Sequence, residues 1–202
     1  MLPSGYFIDY QTLLLEAREA SVTDTSSFLQ RRLPLLWSAA YVSAISHEPH
    51  LVRFRHGTFE YICDVYSQLE VTGAVPFDQT IADRVIGVIG KSSRTQRDRN
   101  TRRIRLGFSE ELEETERDDG HFMAHSIGGG LDVNLFSQER RLNRGWSSQG
   151  KIYRQMEKLC CDQEGTFCFS RPIYGDTTNV PRRIEFGVLK TDETLWVEVF
   201  DN

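Results

Sequence analysis

The first fifty residues have the spacing of amphipathic helices. Apolar residues recur from Ile8 to Ala20 among acidic residues and an arginine, which predicts one helix. A second helix is predicted to begin near Asp24, with Asp24 or Thr25 as its N-cap. Pro34 is expected to kink or divide this second helix, because proline removes a backbone donor and crowds the preceding turn. The pattern predicts a helical N-terminal extension over residues 1–48.

After residue 48 the hydrophobic period changes to two. Residues 51–55 alternate, His56 and Gly57 mark a turn, and residues 58–71 are rich in β-branched and aromatic side chains. Together they predict a β-hairpin. Residues 82–89 form a further apolar, β-rich stretch between turn residues, which predicts another strand.

The remaining pattern mixes strands with helices. Short strands are predicted near residues 122–125 and 131–136 around a glycine turn, with a helix starting near residues 137–139. A helix is predicted over residues 151–161, and strands over 166–169, 183–190 and 194–200. Asp192 and Glu193 are predicted to form the hairpin turn between the last two of these strands. The predicted class is therefore α+β with an antiparallel sheet, in which residues 1–48 are a helical extension and residues 49–202 are the main domain.

Length and composition narrow the class of protein. A chain of 202 residues has room for one ordinary domain with a small extension. No apolar run approaches the roughly 18 residues that a membrane span needs, and residues 1–5 lack the basic and apolar regions of a secretory signal. We therefore expect no membrane partner, and a location that is cytoplasmic or reached by a non-classical export route. None of the four cysteines has CxxC spacing, which favours neither a disulfide framework nor a structural zinc site.

Charge is distributed unevenly. The formal net charge of -5 argues against a nucleic-acid partner, because phosphate neutralisation dominates such binding. A basic run nevertheless precedes an acidic run at residues 110–116. The basic run contains Arg94, Arg97, Arg99, Arg102, Arg103 and Arg105. The basic run is either a solvated face with local ion pairs or an edge that faces phosphates.

Three polar clusters lie between residues 118 and 145, and they carry the candidate chemistry. They are Asp118-Asp119-Gly120-His121, Asn134 to Gln138, and Leu142-Asn143-Arg144-Gly145. Histidine suits a general base near neutral pH, and the preceding carboxylates could orient its ring. A side-chain amide can hold a hydrated magnesium ion. A structural histidine and an asparagine helix cap are the alternatives, but the combination makes phosphodiester hydrolysis the first hypothesis.

These clusters resemble motifs of the DNA/RNA non-specific endonuclease family, whose site is a ββα-metal (His-Me) finger. The family carries Asp-Arg-Gly-His, Asn-x-x-x-Gln and Leu-Asn-x-Gly, and the match is closest to its bacterial Asp-Asp-Gly-His subgroup. The resemblance covers about residues 50–202. It implies a ββα-metal nuclease domain that cuts DNA and/or RNA without sequence preference. It further implies His121 as general base, Asn143 as ligand of Mg²⁺ or Mn²⁺, and Asn134 with Gln138 as supports of the site or its bound water.

Two departures from the family pattern affect the expected site. Asp119 stands where the family has an arginine, so another cation must stabilise the transition state. Arg144, Arg117 and the basic run are the candidates, and Arg117, Arg97 and Arg102 are expected to bind substrate.

The second departure concerns a helix carboxylate. The family's glutamate lies eight residues beyond the metal asparagine, where this chain has Lys151, and the first carboxylate downstream is Glu157. A straight helix would separate Asn143 from Glu157 by about 21 Å, too far to share one ion. We therefore infer an inserted loop between Gly145 and Gly150 that returns Glu157 to the site, with a surface salt bridge as its alternative role.

Partners and alternative functions follow from the same resemblance. A nuclease that acts as a bacterial toxin or defence effector would have an inhibitor or immunity protein, and the helical extension could serve delivery, homodimerisation or restraint. One alternative is a catalytically impaired nucleic-acid-binding or protein-interaction module on the same fold. Another is a zinc enzyme that uses His121, His125 and cysteine ligands.

Overall fold

The computed structural model describes residues 7–65, 83–94, 116–130 and 133–202. Within these ranges the chain is a mixed α+β protein with an antiparallel sheet, which confirms the predicted class. The helices and strands are α1 Tyr10–Glu19, α2 Thr25–Ala44, β1 Leu51–His56, β2 Phe59–Asp64, β3 Arg84–Lys91, β4 Arg117–His121, β5 Leu135–Glu139, α3 Arg140–Asn143, α4 Ser148–Asp162, β6 Phe167–Ile173, β7 Arg183–Leu189 and β8 Leu195–Asp201.

Two sheets are formed by the described residues. The larger sheet has the order β1-β2-β3-β6-β7-β8, and each neighbouring pair is antiparallel. The smaller sheet is the pair β4 and β5, which lies between β3 and β6 in the sequence. The predicted hairpins β1–β2 and β7–β8 are confirmed, the latter with Glu193 at a φ of 62° in its turn.

The two N-terminal helices pack on one face of the large sheet. Asp24 caps α2, since its side chain accepts a hydrogen bond from the Ser27 amide at 3.0 Å. Trp37 is fully buried against the sheet, and a Cβ on Gly87 would lie only 2.4 Å from its ring. The glycine therefore allows this close approach. The predicted boundary near residue 48 falls between α2 and β1, and the division into two parts stays a prediction.

The opposite face of the sheet carries β4, β5 and α4. Their apolar side chains share one buried cluster with the large sheet, including Phe122, Phe136, Tyr153 and Phe186. The rings of Phe122 and Phe136 stack with centroids 4.4 Å apart. This face positions the polar clusters of residues 118–145. No helix in the described ranges is long and apolar enough to cross a membrane.

Pro34 does not divide the second helix, so that part of the prediction is wrong. Helix α2 continues from Thr25 to Ala44 with Pro34 inside it. Leu33 and Trp37, on either side of Pro34, are both fully buried. Packing against the sheet therefore stabilises the helix on both sides of Pro34, despite the hydrogen bond that proline removes.

The predicted strand at residues 122–125 is also wrong. Strand β4 ends at His121, and a loop with a 3-10 turn at His125–Ile127 follows. The Asn134 side chain supplies the reason, because it bonds both the amide and the carbonyl of Met123. These backbone groups are satisfied by an amide side chain and not by a neighbouring strand.

The third helix begins later than predicted. Glu139 caps α3, and its carboxylate accepts from the amides of Arg141 and Leu142 at 3.0 and 2.6 Å. Asn143 is therefore the last residue of α3, not a residue at its start. Its alternative role as an N-terminal helix cap is excluded by this position.

Candidate functional site

The three polar clusters meet around the β4–β5 hairpin and α3. His121 ends β4 opposite Leu135, and Asp118 pairs with Gln138 across the hairpin. Helix α3 follows β5 directly and carries Asn143. The hairpin and the short helix therefore bring residues from all three clusters to one place.

A pocket of about 830 Å³ opens beside this hairpin. The described residues that line it are Arg94, Asp119, His121, Ala124, His125, Ser126, Gln138, Asn143, Arg154, Glu157, Cys161 and Asp162. The structure thus gathers His121, Gln138, Asn143 and Glu157, which the sequence proposed for one site. Arg117, Asn134 and Arg144 are not among its lining residues. Arg97 and Arg102 lie outside the described residues.

A side chain of α4 contacts the backbone of His121. The Tyr153 hydroxyl donates to the carbonyl oxygen of His121 at 3.3 Å. Burial, followed by the nearby Glu157 carboxylate, raises the pKa of Tyr153 well above its ordinary value. The hydroxyl therefore keeps its proton and remains a donor. Its hydrogen bond fixes the backbone at the end of β4, where His121 lies.

Gln138 presents a buried amide to the pocket. Gln138 is 1% exposed, and its amide hydrogen-bonds the Tyr153 hydroxyl, which opposes the rise that burial causes in the pKa of Tyr153. It lies directly over Gly120, where an added Cβ would be 2.2 Å from the Gln138 oxygen. Glycine before His121 is therefore required by the close approach of Gln138. Because the amide also lines the pocket, it can hydrogen-bond a water or a ligand there.

Asn143 is oriented by a cluster of charged residues. Its amide nitrogen donates to Asp118 at 3.4 Å, which turns its carbonyl oxygen away from that carboxylate. Asp118 also accepts from Nε of Arg144 at 2.7 Å and Nε of Arg140 at 3.0 Å. The bonds from Arg144 and Arg140 lower the pKa of Asp118, so the carboxylate stays ionised.

Glu157 returns to the site because the chain breaks between two helices. Gly145 has a φ of 71°, and a Cβ on Gly150 would lie 2.6 Å from the Arg141 carbonyl oxygen. The two glycines thus allow the turn and the close packing of α4 against α3. Helix α4 is capped by Ser147, whose hydroxyl accepts from Gly150 at 2.9 Å.

Glu157 is buried and pairs with one arginine. The Arg154 Nη1 donates to Glu157 Oε2 at 2.9 Å, and the Arg154 side chain remains 53% exposed. Burial raises the pKa of Glu157, and Arg154 opposes that rise. The expected salt bridge therefore exists, but its carboxylate lines the pocket and does not lie on the open surface.

Asn134 supports the site indirectly. It is fully buried and bonds the amide of Met123 at 2.9 Å, the carbonyl of Met123 at 2.7 Å and the carbonyl of Gly130 at 2.7 Å. These bonds close the loop that leaves His121. Asn134 accordingly fixes the pocket wall.

The pocket offers oxygen donors of the kind that a hydrated divalent ion accepts. Within the described residues no group of three or more His, Cys, Asp or Glu side chains could hold a metal ion. Magnesium keeps most of its waters and needs one or two protein oxygens, which Asn143, Gln138 and Glu157 offer.

Sequence reasoning missed Arg154 as a pocket residue. Arg154 lies three positions before Glu157 on α4, so the two side chains are neighbours on the helix surface. This spacing was the sequence signal that could have placed Arg154 beside the Glu157 carboxylate. Arg144, a sequence candidate for the cation, instead bonds Asp118 and lies over the Trp146 ring at 5.1 Å. The arginines that line the pocket in the described residues are Arg94 and Arg154.

Comparison with solved structures shows a distant similarity to a nuclease. No family model matches the chain, and no curated protein matches it. A solved structure described as Sda1 nuclease with bound zinc ion is 22% identical, with a TM-score of 0.36. The match covers 43% of this chain and 40% of that chain. This level of similarity assigns neither a fold family nor an activity to the chain.

Proposed function

We propose that this protein is a metal-dependent endonuclease that hydrolyses phosphodiester bonds in DNA and/or RNA. The observation that supports the proposal is one pocket lined by His121, Asn143 and Glu157. The strand, strand and helix order of β4, β5 and α3 supports a ββα-metal arrangement, with the histidine on the first strand and the amide on the helix.

His121 acts as the general base in this mechanism. The imidazole accepts a proton from a water molecule, whose oxygen attacks phosphorus in line with the departing oxygen. The new bond joins the water oxygen to phosphorus, and the bond between phosphorus and the departing oxygen breaks. Asn143 would hold Mg²⁺, with Gln138 and Glu157 beside it, and the ion would supply positive charge for the departing oxygen.

The chain itself supplies further positive charge through Arg154. Its guanidinium is bonded to Glu157 at one edge and half exposed in the pocket, so it can also meet phosphate oxygens. It thereby provides the cation that Asp119 cannot, and Arg94 lies at the same pocket. Asp118 keeps Arg144 beside Asn143 in a positioning role.

The substrate range follows from the nucleophile. Because an external water attacks, the 2′-hydroxyl of RNA is not required and both DNA and RNA can be cut. The pocket's charged groups contact the backbone, which carries no sequence information. We therefore expect weak sequence preference.

Cleavage of plasmid DNA and of a structured RNA tests the proposal. Cleavage is expected with Mg²⁺ or Mn²⁺ and none with a chelator. His121→Ala should lose activity by at least about a hundredfold. The control is His50→Ala, which removes an exposed histidine outside the pocket.

Three results would contradict the proposal or its mechanism. If the unmodified protein cuts neither substrate with any divalent ion, the nuclease function is wrong, and tight binding without cleavage would favour the impaired module. If His121→Ala cuts as fast as the unmodified protein, the assigned base is wrong. Stoichiometric zinc in the purified protein, with no response to Mg²⁺, would overturn the magnesium assignment.

A further inference from the structure

Strand β1 alternates arginine with aromatic rings. Arg53, Phe54, Arg55 and His56 follow one another and are all exposed. Successive strand residues face opposite sides of a sheet. The arginines face α2, whereas Phe54 stacks on Tyr61 with ring centroids 5.4 Å apart on the side of the β4–β5 hairpin.

On the α2 side the arginines line a second pocket. It has a volume of about 390 Å³, and Arg31 of α2 joins Arg53 and Arg55 there. Glu60 also lines it and accepts from Arg53 Nε at 2.6 Å. Three guanidinium groups and one carboxylate therefore line this pocket. Positive charge is in excess there, although the formal net charge of the whole chain is -5.

On the other side, the loop of residues 128–130 connects β1 with the catalytic pocket. A Cβ on Gly130 would lie 2.6 Å from the His56 ring, so the two are in contact. The Gly130 amide also donates to the Tyr61 hydroxyl at 3.4 Å. His125, which lines the catalytic pocket, donates from Nδ1 to the Gly129 carbonyl at 3.3 Å. A chain of contacts through residues 125–130 therefore links the pocket to strand β1.

Strand β1 is at the edge of the large sheet, so the arginines on one face and Phe54 on the other are both reached from this edge. The chemistry of this edge matches a single nucleic-acid strand. Guanidinium groups match phosphate oxygens in a fork geometry, and exposed aromatic rings stack on unpaired bases. A folded acidic protein would use the arginines but would leave the adjacent ring without a role.

We propose that β1 binds the substrate strand beyond the cleavage pocket, with Arg55, Arg53 and Arg31 on phosphates and Phe54 on a base. This inference rests on the proposed nuclease function. It makes single-stranded nucleic acid, or a single-stranded segment, the preferred substrate. Duplex DNA cannot offer an unpaired base to Phe54.

Binding by the inactive His121→Ala protein tests the inference without cleavage. A labelled single strand of roughly twelve nucleotides, within the range of known single-strand sites, is titrated in chelator at several salt concentrations. Arg55→Gln should weaken binding about three- to tenfold and reduce the salt slope by about 0.7. Phe54→Leu should weaken binding about tenfold or more.

The controls separate this surface from the pocket and from misfolding. Arg32→Gln removes another α2 arginine, one that pairs with Glu16 at 2.8 Å, and should leave binding unchanged. A dinucleotide is too short to reach β1, so its binding should not change in any variant. Arg55→Lys keeps the charge and should recover most of the affinity, and thermal unfolding verifies that each variant is folded.

The outcomes distinguish this inference from the function on which it rests. Unchanged binding of the long strand by both Arg55→Gln and Phe54→Leu would overturn the inference, as would an equal loss for the dinucleotide. An equal effect of Phe54→Leu on duplex DNA would overturn the base-stacking part. If the unmodified protein cuts nothing while the variants lose binding, the nuclease function fails and the binding surface stands.

Discussion

The side-chain amide of Asn143 donates to the Asp118 carboxylate across 3.4 Å, which ties the proposed metal ligand to the first motif. From the sequence, the carboxylates before His121 are expected to orient the imidazole ring of His121. Asp118 instead holds Asn143, Arg140 and Arg144 together. It therefore positions a ligand, and its effect on the reaction passes through Asn143.

Asp118→Asn should reduce cleavage by about ten- to a hundredfold, the range found when a partner of a metal ligand is changed. The amide keeps the size of the side chain but removes the charge that holds Arg144 and Arg140. The loss should appear as a higher Mg²⁺ concentration for half-maximal cleavage, measured by metal titration.

Asp192→Asn is the matched control for this change. Asp192 is also a hydrogen-bonded carboxylate with a lowered pKa, caused first by its bond from Thr194, but it lies in the β7–β8 turn. Its substitution should leave the metal requirement unchanged. An Asp118→Asn protein with normal metal dependence would show that Asn143 does not need this partner.

The stability contributed by Asp118 should disappear in acid. Bonds from Arg144 and Arg140 hold its folded-state pKa below its ordinary value of 3.8, so the ionised form is favoured by folding. The stabilisation is therefore present above about pH 4 and is lost as the pH falls through the lower folded-state pKa. Urea unfolding of the unmodified and Asp118→Asn proteins should differ at pH 7 and converge once the pH is below that folded-state pKa. A difference that is constant with pH would contradict this assignment.

Glu157→Gln should separate stability from activity. Burial raises the folded-state pKa of Glu157 above its ordinary value of 4.5, so the ionised carboxylate lowers the stability of the folded protein. As the pH rises through the folded-state pKa, the unmodified protein should lose stability relative to Glu157→Gln, whose amide oxygen can still accept from Arg154. Thermal midpoints between pH 4 and pH 8 measure this change.

The cleavage activity of Glu157→Gln should fall, although its stability should not. If the carboxylate supports the metal or its waters, Glu157→Gln should cut at least about tenfold more slowly despite equal or greater stability. A variant that is both stable and fully active would assign Glu157 to the Arg154 salt bridge alone. Glu19→Gln, at the exposed end of α1 and outside the pocket, is the control carboxylate.

Most of the strands could be predicted because they are short runs of β-branched and aromatic residues between turn residues, as suits a sheet that is covered on both faces. The errors arose where a distant polar side chain replaced the usual backbone partner. Asn134 satisfies the backbone of Met123 and ends β4 early, and Glu139, an infrequent N-cap, moves the start of α3. Such bonds depend on the folded arrangement, so local propensity does not contain them.

The candidate site shows the same division. His121 and Asn143 stood out because their motifs are local in sequence, and the glycines near Trp146 indicated the break that brings Glu157 back. Arg154 did not stand out, because its place in the pocket depends on the angle between α3 and α4. A Cβ on Gly145 would lie 3.1 Å from Cγ of Arg154, so even this glycine has a long-range role.

Arg154→Gln should reduce kcat by about a hundred- to a thousandfold, which is the effect of removing one donor to transition-state charge. Arg154→Lys should recover part of the loss, because it restores the charge but not the two-pronged geometry. Arg32→Gln, which breaks a similarly exposed helix ion pair, should cut normally. Loss of Arg154 also removes the guanidinium that pairs with the buried Glu157 carboxylate, so the acid limb of the pH profile should shift upward in Arg154→Gln and less in Arg154→Lys. Unchanged kcat in Arg154→Gln, with loss in Arg94→Gln, would assign the cation to Arg94 instead.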